Sequence, residues 1–183
     1  MKNILLLFST LFLLQFMSCK SDDNTNKPMD ETVYQELGIV TGLDFFDNNG
    51  SPIGQWELPN HNPGEISTYP IPNNGNVFVY SPNKIVRIWL IPATCTIDSS
   101  SDDIPTLSQD LTYTIAELEN VQVKDIPLTD FNTQVALNFN DVSAGFYKIF
   151  FEVESGDLFW QNLYIDPTAS NFPTFDFLDN LCN

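Results

Sequence analysis

One histidine and seven basic residues are set against 24 acids in a chain of 183 residues, a formal charge of −17 at neutral pH. Binding nucleic acid relies on Lys and Arg to neutralise phosphates, so a chain this acidic excludes it as a partner. The lone histidine, His61, rules out metal sites built on several imidazoles and leaves any Ser–His–Asp arrangement hanging on one loop residue. Also missing are Gly-x-Ser-x-Gly, His-Glu-x-x-His and a glycine-rich loop of the kind that cradles phosphate. These absences predict a non-catalytic protein with no cofactor and no metal. Long apolar runs are absent too. The longest, Ile4 to Met17, is interrupted by Ser9, Thr10 and Gln15, and a membrane-spanning helix needs about 20 apolar residues. No stretch repeats at 3.6 residues over a dozen positions, so little helix is expected.

What stands at the N-terminus is a short leader. Lys2 precedes a Leu- and Phe-rich core, and residues 1–18 have the length and composition of a secretory signal. The segment ends in Phe16-Met17-Ser18-Cys19, which resembles the lipobox of bacterial lipoproteins, with a small residue just before the Cys. The resemblance implies cleavage at that point, a lipid on the Cys19 thiol and attachment to the membrane through it. Lys20-Ser21-Asp22-Asp23-Asn24 follows and resembles the export signal of surface lipoproteins in the Bacteroidetes. That implies an outer-membrane address facing the medium. Residues 19–36 are mostly Lys, Ser, Asp, Asn and Thr and form a polar, acidic tether, able to reach at most about 60 Å when extended. Residues 37–183 then suffice for one domain with a core.

With Cys19 set aside for lipid, Cys95 and Cys182 form an even pair. An oxidising envelope favours a disulfide between them, the alternative being two separate buried thiols.

The remaining pattern is short apolar or alternating runs punctuated by turn residues. Strands are expected at Leu37 to Phe46, Ile53 to Leu58, Val77 to Tyr80, Lys84 to Ile91, Leu111 to Ile115, Val121 to Ile126, Gln134 to Phe139, Phe146 to Glu154 and Asp157 to Ile165. Asn49-Gly50 marks the first hairpin turn. The proline-rich stretch 59–76 is expected to be loop. Eight or nine strands with little helix predict an all-β, antiparallel sandwich. The segment Val135 to Ile149, with Gly145-Phe146-Tyr147 at its corner, resembles the E-to-F corner of immunoglobulin-like and fibronectin-like sandwiches, where a tyrosine hydroxyl bonds back to the corner. The fold class implied is an immunoglobulin-like β-sandwich, which by itself implies no function.

Three further readings follow from side-chain chemistry. Trp56, Trp89 and Arg87 are candidate ligand contacts, because sugars stack their C–H faces on aromatic rings. Along Lys84 to Ile91, Trp89 faces away from Val86, Ile88 and Leu90, so its face is either a binding surface or the second buried side of the strand. Asp44 to Asn49 and Asp98 to Asp103 are acidic turns that lack the spaced ligands of a tight calcium site. In the final hairpin, a two-residue turn at Ser155-Gly156 sets opposite residues to sum to 311, and the tail is expected to cover the apolar stripe of Phe146, Phe150, Phe159, Leu163 and Ile165, burying Phe175 or Phe177. Together these features predict a lipid-anchored surface module that binds a glycan or an envelope protein. The alternative is a structural component of an envelope assembly that takes no soluble ligand.

Overall fold

Alternation determines the strands. In Asn76-Val77-Phe78-Val79-Tyr80 the valines recur every second residue, the spacing of one face of a strand. Both are buried, while the three residues around them are exposed. The computed structural model describes residues 37–57, 59–96, 113–129, 133–169 and 174–182. The leader, Cys19, the tether, the acidic turn at Asp98 to Asp103 and the start of the strand expected at Leu111 lie outside the described residues. Ten strands form within them: β1 Ile39–Val40, β2 Gly42–Phe46, β3 Pro52–Glu57, β4 Ser67–Tyr69, β5 Asn76–Tyr80, β6 Ile85–Cys95, β7 Lys124–Pro127, β8 Gln134–Asn138, β9 Gly145–Val153 and β10 Leu158–Ile165. Two short helices accompany them, α1 Ile115–Val121 and α2 Phe175–Cys182. The chain is all-β in class.

The strands form two layers and a hairpin. Antiparallel β4-β5-β8 makes one layer. In the other, β6 pairs with β9, and β9 with β10, while antiparallel β7 and parallel β1 share the opposite edge of β6. Between the layers, Val77, Val79 and Leu137 share one core with Ile88, Leu90, Ile149 and Phe151. The back of the larger sheet is also covered. There Trp89, Ile91, Phe150 and Trp160 pack with Leu37, Tyr113 and Leu118 of α1. Being buried on both faces is why β6 reads as a nearly continuous apolar run rather than an alternating one. The outer edge of β10 is closed as well: Asn62 exchanges both backbone hydrogen bonds with Trp160, and Asn73 pairs with Ile165. An open edge would invite pairing with another chain. The Tyr147 hydroxyl donates to the Ser143 carbonyl at 2.7 Å, so the corner bond expected at Gly145-Phe146-Tyr147 is made.

Several expectations are corrected. The strand expected at Leu37 to Phe46 divides at Thr41, whose N–H donates to the Asn60 side chain and so leaves the ladder. Within the proline-rich loop, Ser67-Thr68-Tyr69 finds a partner in β5 and becomes β4. The strand expected to end at Ile115 is replaced by the start of α1. Thr114 and Glu117 form a reciprocal capping box, a signal the sequence carries as Thr-x-x-Glu, and at seven residues the helix is too short to show its period. The last hairpin pairs Phe151 with Phe159 and Glu152 with Leu158, so opposite residues sum to 310. Its loop has three residues, 154–156, closed by Gly156 at φ 87°, the turn-plus-left-handed-glycine form of a longer hairpin loop. That one-residue slip turns every β10 side chain over. Leu163 and Ile165 enter the main core, while Trp160 joins Phe150 behind.

The tail packs on the domain, but not by the residues expected. Leu178 is the buried anchor of α2, whereas Phe175 and Phe177 remain 47% and 42% exposed. Phe175 stacks on Phe45 at 5.1 Å between ring centroids, and Phe177 meets Tyr164 edge-on at 6.0 Å. Phe146 is covered instead by Trp56 of the β2–β3 hairpin, and Phe150 by Tyr113. Cys182 of α2 is disulfide-bonded to Cys95 at the end of β6.

Candidate functional site

The residues singled out from sequence are brought into two separate clusters. Trp56 lies in β3, 3% exposed, stacked on Phe146, with its Nε1 donating to Asp179 of α2 at 2.7 Å. Trp89 is wholly buried behind the larger sheet. Of the two readings of its face, the structure takes the strand buried on both sides. Arg87 spans the rim: its Nε and Nη2 donate to the Asp125 carboxylate at 2.8 and 2.6 Å, and its Nη1 pairs with Glu119 at 2.8 Å. Its guanidinium carbon lies 4.8 Å from the centre of the Trp89 ring, a cation–π contact. The bond from Arg87 holds the Asp125 carboxyl below the usual carboxylate range. With three nitrogens occupied and its face on an indole, Arg87 is a clasp between β6, β7 and α1. Neither Trp56 nor Trp89 offers a ring face to a ligand.

His61 sits over a buried polar cluster behind β9 and β10. Asn60 is its hub. The Asn60 side chain accepts from the Thr41 N–H and the Asn162 amide and donates to the Ile39 carbonyl, and its own carbonyl accepts from Trp160 Nε1 and Lys148 Nζ. Asn162 also donates to the Gly42 carbonyl at 2.9 Å. These bonds staple the 59–64 loop and the β1–β2 kink to the sheet. His61 Nε2 lies 3.3 Å from an Asp44 carboxylate oxygen. Burial pushes the imidazole pKa down, Asp44 works against that and the positive charge of Lys148 adds to it. The unfolded chain therefore takes up a proton on His61 more readily than the folded one. Stability is present above the free-histidine value, near pH 6.5, and is lost as pH falls through the lower folded value. In thermal melts from about pH 7.5 downward, His61→Gln is expected to show a shallower loss of Tm than the parent chain. Parallel curves would remove His61 as a source of the acid sensitivity.

The first acidic turn gathers no ligand set. Asp44 turns to His61, while Asp47 accepts from the N–H groups of Asn49 and Ser51, both at 2.8 Å, and these bonds lower its pKa. Among the described residues no three His, Cys, Asp or Glu side chains are grouped as a metal site would need.

The outer face of β4-β5-β8 was missed by sequence reasoning. Its register sets Tyr69, Phe78 and Ala136 in one row, Ser67, Tyr80 and Gln134 in the next, and Asn76 beside Asn138. The Tyr69 and Phe78 rings stack with centroids 5.8 Å apart and planes 29° from parallel. Phe78 is 40% and Tyr80 48% exposed. Amides flank the rings: Gln134 Nε2 donates to the Tyr69 hydroxyl at 3.4 Å, and Asn138 to Asn76 at 2.9 Å. The turn of the β2–β3 hairpin braces Tyr69 from the side. Gly50, at φ 77°, lies so close that a Cβ there would stand 3.0 Å from the ring, and only glycine adopts this conformation without strain. In a chain of net charge −17, no outward position in these three rows is charged. The signal was in the alternation of β5 itself: placing Val77 and Val79 inward places Phe78 and Tyr80 outward.

No protein-family model matches the chain, and no curated protein matches it. Among solved structures it is similar to the PmoD soluble domain from Methylocystis sp. ATCC 49242 (Rockwell), at 17% identity over 53% of this chain and 79% of that one, with a TM-score of 0.29. A likeness this slight carries no argument about fold or function.

Proposed function

We propose that this protein is a lipid-anchored module of the outer membrane, facing the medium, that binds without catalysis. The exposed, uncharged aromatic face of β4-β5-β8 carries the reading. Exposed aromatic rings clustered on a rigid sheet are the usual material of a recognition surface, and a face of eight outward residues without one charge is out of character for so acidic a chain. The address rests on residues 1–24, with Cys19 as the lipidated residue. The Cys95–Cys182 disulfide suits an oxidising compartment. The finer fold assignment belongs to the same proposal. Strand order β4-β5-β8 facing β7-β6-β9-β10, with the Tyr147 corner bond, supports an immunoglobulin-like sandwich of the fibronectin kind.

The test is a photoreactive residue placed at position 80, and as control at the exposed position 155 of the far hairpin, in the full chain on intact cells. The reading expects adducts from 80 and not from 155, and expects Cys19→Ala to release the protein from the membrane fraction. No adduct at 80, or equal adducts at both positions, overturns the binding face. A variant that stays in the membrane overturns the anchor.

A further inference from the structure

We infer that the occupant of the β4-β5-β8 face is a neutral polysaccharide; the inference rests on the binding reading above and specifies its ligand. The chemistry of the face selects for it. Phe78 and Tyr80 supply exposed apolar ring surface suited to the C–H faces of pyranose rings, with Tyr69 stacked on Phe78 as its support, and a sugar has no charge to satisfy. Gln134, Asn76 and Asn138 stand beside those rings and carry both donors and acceptors for hydroxyl groups. No outward side chain of the three strands is charged. A phosphate, a uronate or a basic peptide would have to leave water there without an opposite charge to meet it.

The surroundings argue against other occupants. A second copy of the chain would bring an equal negative charge against a molecule already at −17, and net charge of this size opposes self-association. The face is also preformed. Tyr69 is held between the Phe78 ring and the Gly50 turn, and that turn is fixed by the two bonds to Asp47. A pre-ordered platform spares the ligand the entropy of organising it. Phe78 and Tyr80 stand exposed on neighbouring rows of one strand, which suits an extended chain lying along the face better than a small molecule that needs enclosure.

The experiment is native gel electrophoresis of the full chain, purified in detergent, through gels containing a soluble β-glucan, an α-glucan or a galactomannan, with polygalacturonate as the charged counterpart. At least one neutral polymer is expected to retard the protein, and polygalacturonate is not. Phe78→Ala and Tyr80→Ala are each expected to weaken retardation about tenfold. Tyr80→Phe, which keeps the ring, should retain most of it. Ala136→Glu, which leaves all three rings in place but sets a charge among them, should abolish it, and an unchanged melting temperature will show that the variant is folded. The inference is overturned if no neutral polymer retards the chain, if the charged polymer does so better, or if Ala136→Glu binds like the parent. It is equally overturned if light scattering shows a dimer that Ala136→Glu separates. Should the gels fail while position 80 still forms adducts on cells, the polysaccharide is wrong and the face remains a binding surface. Loss of both results removes the binding reading itself.

Discussion

Replacing Cys95 and Cys182 together by Ser is expected to lower the free energy of unfolding by about 4–5 kcal/mol. The two residues are 87 apart in sequence, and opening so long a loop returns that much chain entropy to the unfolded state. The double variant is the right comparison, since a single substitution leaves a free thiol to pair elsewhere. Urea unfolding with and without reductant measures the effect, and a loss below about 2 kcal/mol would show that α2 is held by its other contacts. Those contacts include buried Leu178, the Trp56–Asp179 hydrogen bond, the Phe45–Phe175 stack and the edge-on contact of Phe177 with Tyr164. Amide exchange in α2 should therefore accelerate more than exchange in β6 or β9, because Cys182 is the point at which the helix is tied to the sheet.

Trp89→Ala carries the second large effect, about 3–5 kcal/mol, the range for emptying an aromatic site in a close-packed interior. The side chain is wholly buried among Ile91, Phe150 and Trp160, with Arg87 stacked on it. Its loss leaves a void that the surrounding rings refill only in part. Phe78→Ala, made on an exposed position, should stay within about 0.5 kcal/mol of the parent. Measured side by side, the two separate aromatic residues that hold the fold from those that face outward. A Trp89→Ala loss no larger than that of Phe78→Ala would mean that the back of the sheet is not a packed core.

The strands were legible in two ways. β5 and β8 bury one face, and the period of two survives in the sequence, whereas β6 and β9 are buried on both faces and read as nearly continuous apolar runs. The register of the last hairpin was not legible. Glu154-Ser155-Gly156 is compatible with a loop of two residues or of three, and only the position of Gly156 at its positive φ decides between them. The tryptophans misled for a related reason. A large aromatic ring is as useful under a helix as under a sugar, and what covers Trp89 comes from Tyr113 and α1, far away in sequence. α1 itself announced its start through Thr114 and Glu117 but is too short to show a helical repeat. The outward rings of β5 were readable, yet nothing local says that their side of the sheet stays open, since that depends on where the helices and the tail settle.

The described chain begins at Leu37, and Leu37 is buried on the back of the larger sheet, beside Trp89 and Phe150. The rings of Phe78 and Tyr80 lie on the outer face of β4-β5-β8, beyond the main core. The point at which the described chain begins and the uncharged aromatic face thus lie on opposite sides of the main core. On the proposed anchoring through Cys19, a long polymer would meet that face on the side of the domain away from residue 37.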